Sequence, residues 1–113
     1  VAYLNVGVIS FLEGNLDAAI QNYREAIRTN PDYAEAYFNL GAAYYKQRLL
    51  KQAEEAFVKA IKLQPDYGRA YYSLGSVYFD QQKYDLAREH ADKAAEYGVP
   101  YKSLTEKLKA VGH

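Results

Sequence analysis

The chain has 113 residues, enough for one packed unit and too few for two independent cores. Its 14 lysines and arginines balance 14 aspartates and glutamates, leaving no net field to draw in nucleic acid phosphates or an anionic membrane surface. Cysteine is absent, which excludes disulfides, thiolate nucleophiles and thiolate metal sites and leaves cytoplasm and periplasm both open. No apolar run approaches the roughly 20 residues that cross a bilayer, so a soluble chain without membrane insertion is expected. It opens at Val1 directly into an apolar pattern, as a trimmed piece of a longer protein would.

In chain order, a first helix carries Tyr3, Val6 and Gly7 and breaks at Gly14-Asn15. A second carries Ala19 and Ala26 and stops at Asn30-Pro31-Asp32-Tyr33, where proline cannot continue a helix and restricts the residue before it. Asp32, with Glu35 three residues on, is expected to cap the third helix as a capping box. In that helix Tyr37, Leu40, Gly41 and Tyr44 fall at i, i+3, i+4 and i+7 on one face. The fourth carries Leu50, Ala53, Phe57, Ala60 and Ile61 and closes at Gln64-Pro65-Asp66-Tyr67. A further pair carries Tyr71, Leu74 and Gly75, then Ala87 and Ala94, and ends at Gly98-Val99-Pro100. After Pro100 an amphipathic helix has Leu104, Leu108 and Val111 on one face; Ser103 and Glu106 form another expected capping box. It reads as a solvating cap, with a membrane-surface helix as the alternative.

The elements repeat with a period of 34. Gly7, Gly41 and Gly75 keep that interval, as do Ala19, Ala53 and Ala87; Ala26, Ala60 and Ala94; Tyr3, Tyr37 and Tyr71; Val6, Leu40 and Leu74; and Tyr33, Tyr67 and Tyr101. The small residues let paired helices approach while tyrosines and leucines fill the space beside them. One pair cannot bury its apolar face alone, so three stack, which divides the chain at 1–33, 34–67, 68–101 and a capping helix over 102–113.

This pattern resembles the tetratricopeptide repeat family, whose 34-residue unit places a large residue, then leucine-glycine, tyrosine, alanine, an aromatic, alanine and proline. Residues 34–67 meet every point, with Tyr37, Leu40-Gly41, Tyr44, Ala53, Phe57, Ala60 and Pro65. The first unit departs at Ser10, and the third has Ala91 for the aromatic and a proline one residue late. The fold expected is all-α, an α-solenoid of three tetratricopeptide-like helix-turn-helix repeats plus the C-terminal capping helix.

In such a solenoid the first helix of each pair lines a concave face. The residues expected there are Leu4, Asn5, Val8 and Phe11; Phe38, Asn39 and Tyr45; and Arg69, Tyr72, Ser73 and Phe79, flanked by Glu35, Ala42, Lys46, Ser76 and Asp80. Aromatics in a concavity anchor a partner's apolar side chains; the competing reading is that these rings pack sideways and stiffen the array. Asn5 and Asn39, one repeat apart, resemble part of the asparagine ladder with which some members of the family hold a peptide backbone. A subgroup of the family clamps chaperone carboxyl termini with lysines, asparagines and an arginine. Here Leu4, Val8 and Ser73 stand at three of those places, and only Asn39 and Arg69 correspond, so an apolar or mixed peptide is the better expectation.

No HExxH, GxSxG or phosphate-binding glycine loop occurs, and neither His90 nor His113 has a catalytic partner by spacing. The function expected is protein binding, with no cofactor, metal or nucleic acid. The alternative is a structural scaffold whose copies stack through the open solenoid ends, recruited at the face of Tyr3 and Val6.

Overall fold

The computed structural model describes residues 2–100 and 102–113, so Val1 and Tyr101, the third member of one tyrosine column, lie outside the described residues. The described residues form seven helices: α1 (Tyr3–Leu12), α2 (Leu16–Thr29), α3 (Ala34–Lys46), α4 (Leu50–Leu63), α5 (Gly68–Asp80), α6 (Tyr84–Glu96) and α7 (Lys102–Ala110). α1 pairs with α2, α3 with α4 and α5 with α6; α2 then packs on α3, α4 on α5, and α7 on α6 and α5. The result is an elongated solenoid, 46 × 26 × 21 Å, of three helix pairs and a final single helix.

The turns inside the pairs repeat in their backbone as well. Gly14, Arg48 and Gln82 stand 34 residues apart, and all three have positive φ, at 82°, 62° and 63°. Each closes a helix by the same two bonds, seen for Gly14 as its N–H to Phe11 O and the Asn15 N–H to Ser10 O, which satisfy carbonyls the helix leaves open. Only the first unit uses glycine, the residue for which this conformation carries no steric cost. Asn15 then caps α2, its side-chain oxygen accepting from the Ala18 N–H at 3.2 Å.

Between pairs the expected capping by Asp32 is not formed. Pro31 and Asp32 occupy the middle of a β-turn closed by the Tyr33 N–H to Asn30 O at 3.1 Å, and Tyr33 takes the N-cap place without a side-chain bond. Gln64 to Tyr67 repeat that turn at 3.0 Å. Ser103 likewise lies inside the first turn of α7, past the position a capping side chain needs.

Close approach at the glycine column explains the packing and one departure from the pattern. A Cβ on Gly7 would stand 2.6 Å from the Tyr23 ring, and one on Gly41 2.7 Å from the Phe57 ring. In the third pair the equivalent aromatic is Ala91, and Gly75 is instead covered by Leu104 of α7, whose Cδ2 would meet a Cβ there at 2.9 Å. The capping helix therefore fills the space that Tyr23 and Phe57 fill in the earlier units, and Leu104 and Leu108 are 2% and 0% exposed.

Candidate functional site

Successive contacts of α1 with α3, α3 with α5, and α5 with α7 make one continuous side of the solenoid from the first helices of the pairs and the capping helix. The side chains expected to form a binding face divide by depth. Leu4 departs most from that expectation: at 8% exposure it belongs to the core and offers little surface. Asn5 and Arg69 are exposed, and Asn39 and Ser73 half-buried. Val8, Phe11, Phe38, Tyr45, Tyr72 and Phe79 are all half-buried and pack on the core with one side while the rest of each side chain stays open.

Two of these rings pack against other rings of their own repeat, and a basic side chain of the following element reaches each of them. Phe38 stacks on Tyr67 of the next turn with centroids 5.1 Å apart and meets Phe57 at 5.7 Å. The Arg69 guanidinium lies over Phe38 at 5.0 Å and over Tyr67 at 5.7 Å. Its Nη2 also donates to the Tyr67 hydroxyl at 3.5 Å. Phe79 meets Tyr84 edge-on at 5.3 Å, with the Lys107 ammonium of α7 6.0 Å from its ring. Packing sideways and facing a ligand are compatible here, since a ring fixed on one flank is preorganised on the other.

Tyr45 is fixed most firmly. Its hydroxyl donates to Asp80 Oδ2 at 2.5 Å, and Arg48 donates to the same oxygen at 2.9 Å while its guanidinium lies 5.6 Å from the Tyr45 ring. Burial, then the hydrogen bond to Asp80 and its charge, push the Tyr45 phenol up to about 12. The Asp80 hydrogen bond and charge raise Arg48 as well. This latch joins the second unit to the third, and it gives Arg48 a contact that glycine at its strained position would lack. Phe11 and Phe79 occupy the Tyr45 column in the other units and have no hydroxyl for such a latch.

Sequence reasoning placed Tyr45 and Asp80 on this face but missed their bond, because the two residues are 35 apart and stand at adjacent rather than equal places in the repeat. It missed Tyr67 and Lys107 as well. Their signal was the recurrence of tyrosine after each Pro-Asp and the basic face of the last helix.

Helix pairs stacked in this way define a helical-repeat module. Family models agree: one described as TPR repeat matches residues 7–47, and two described as tetratricopeptide repeat match 34–67 and 56–89. The chain belongs to the tetratricopeptide repeat family. No curated protein matches it. Among solved structures, two of MamA are each 35% identical over 84% of this chain, with TM-scores of 0.81 and 0.79; the chain spans about half of their length, 56% and 52%. The first TPR of Spaghetti (RPAP3), bound to the HSP90 peptide SRMEEVD, superposes with a TM-score of 0.89 at 24% identity, covering 96% of this chain and 89% of that one. That likeness is one of fold.

Proposed function

We propose that the module binds an extended, apolar or mixed segment of another protein along the side formed by α1, α3 and α5, acting by recognition and without chemistry of its own. The observation that carries this reading is the set of half-buried rings on that side, Phe11, Phe38, Tyr45, Tyr72 and Phe79, each anchored on the core on one flank. Such rings lose little freedom on binding, so their contact area converts efficiently into affinity. Asn5 and Asn39 supply amides for the backbone of the segment, and Arg69 presents its guanidinium edge beside Phe38.

The HSP90 peptide belongs to the Spaghetti structure, and the residues of this chain favour a different ligand. Leu4 and Val8 are apolar where a charged clamp needs a lysine and an asparagine, and Ser73 stands in place of an arginine. We expect SRMEEVD to bind no better than its scrambled form in a fluorescence polarisation assay. Capture of a partner from source-cell lysate by the parent and its loss from a Tyr45→Ala/Tyr72→Ala variant of equal mass and fold tests the binding face directly.

A second reading, self-association through the end of the solenoid, is favoured by α1. Its Val6, Ile9 and Leu12 are 41%, 56% and 77% exposed, whereas the equivalents of the first two in the later units, Leu40 and Ala43, Leu74 and Val77, are buried beneath the preceding helix. Light scattering across a concentration series separates the readings: a mass that rises with concentration in the parent and not in Ile9→Glu/Leu12→Glu supports assembly.

A further inference from the structure

The exposed residues of α1 and its two caps fall on a single stripe: Ala2, Asn5, Val6, Ile9, Leu12 and Glu13. The later units show what these columns meet. Val6 and Ile9 stand where Leu40, Ala43, Leu74 and Val77 are buried. Leu12 stands where Asp80 accepts from Tyr45 of the preceding unit. Glu13 stands where Gln47 and Gln81 donate to Asp17 and Glu54 of the preceding unit, at 3.0 and 3.3 Å. The stripe is therefore an inter-unit face, and at Glu13 the amide donor of the later units has become a carboxylate. The group that meets it has to donate.

We propose that this face takes α1 of a second copy, packed antiparallel across a two-fold axis at Ile9, to form a closed dimer. The inference rests on the self-association reading and narrows it to one geometry. The stripe is its own complement, because residues at equal distances before and after Ile9 meet across such an axis. Ile9 meets Ile9, Val6 meets Leu12, and the Asn5 amide meets the Glu13 carboxylate it can donate to, with Asn5 turned to the second copy rather than to a peptide. No like charges face each other, since α1 carries none between Ala2 and Leu12. End-to-end stacking fits worse. The other end of the solenoid presents α7 with Lys102, Glu106 and Lys109 exposed, and laying those charges on Val6, Ile9 and Leu12 would strip their water against apolar side chains. The helix is about 15 Å long, so its contact falls well below the roughly 800 Å² per partner of a standard interface, and the dimer is weak and reversible.

The test is sedimentation equilibrium of the 113-residue chain from about 10 μM to 1 mM, the range in which so small a contact associates. The expected mass rises toward twice that of the chain and stops there. Ile9→Glu and Ile9→Lys, at a position 56% exposed and so without cost to the fold, should each stay monomeric. Their equimolar mixture should recover the dimer, because the two substituted positions face each other only across the two-fold axis. Lys109→Glu on α7 should leave the dimer intact. A mass that grows past two copies, a mixture that stays monomeric, or a dimer lost in Lys109→Glu overturns the two-fold pairing while leaving self-association standing. A parent that stays monomeric throughout overturns both.

Discussion

The two ends of this solenoid handle the same repeat pattern in opposite ways. At one end α7 lays Leu104 and Leu108 over the last pair and carries Lys102, Lys107 and Lys109 on exposed positions. At the other, α1 has no charged residue between Ala2 and Leu12 and leaves Val6, Ile9 and Leu12 open. Burial at a given column is thus decided by the neighbour that arrives rather than by the residue type, as expected where each unit contacts only the next. Val6 and Leu74 share a column and similar apolarity, yet one is 41% exposed and the other 1%.

The largest effect should come from removing the cap. Leu104→Ala empties the space over Gly75 and should cost about 2–5 kcal/mol of stability in urea unfolding, whereas Leu12→Ala at the open end should change stability by less than about 0.5 kcal/mol. Equal losses at the two positions would contradict the contrast. Gly41→Leu, forced against the Phe57 ring, should destabilise by about 1–3 kcal/mol or more through overpacking at the centre of the array.

A smaller effect follows from the latch between the second and third units. Tyr45→Phe removes the bond to Asp80 and should cost about 1 kcal/mol near neutral pH. Because the folded phenol is raised to about 12 from an ordinary value near 10, its contribution is complete below pH 10 and disappears as the pH rises through 12. The gap between parent and variant should therefore narrow over that interval in alkaline unfolding curves; a gap that stays constant would place the stabilisation elsewhere. The smallest effect is a gain. Gln82 holds positive φ with no hydrogen bond from its side chain among the described residues, so Gln82→Gly should raise stability by about 0.5–1 kcal/mol, while Arg48→Gly should gain less because it also breaks the pair with Asp80.

The 34-residue period made the helix pairs legible, because alanine and glycine columns mark the places where helix axes come close, and close approach leaves few residue choices. Capping was less legible: Asp32 and Glu35 have the spacing of a capping box, but the proline between the pairs draws Asp32 into a β-turn and hands the N-cap to Tyr33. Leu4 was misplaced because a helix with apolar residues on every side gives no periodic contrast from which to read its buried face. The compensation of Ala91 by Leu104 could not be read from the repeat at all, since it joins a deviation in one unit to a side chain outside the repeating part.

The central claim, that the α1, α3, α5 side binds a protein segment, is tested most directly by capture. The parent chain and a Phe38→Ala/Tyr45→Ala/Tyr72→Ala variant, shown by circular dichroism and light scattering to match in fold and mass, are used side by side on source-cell lysate. The account predicts a partner held by the parent whose recovery falls at least about tenfold on the variant, the loss expected from removing anchor rings. A partner retained equally by both would contradict it and place recognition on another surface.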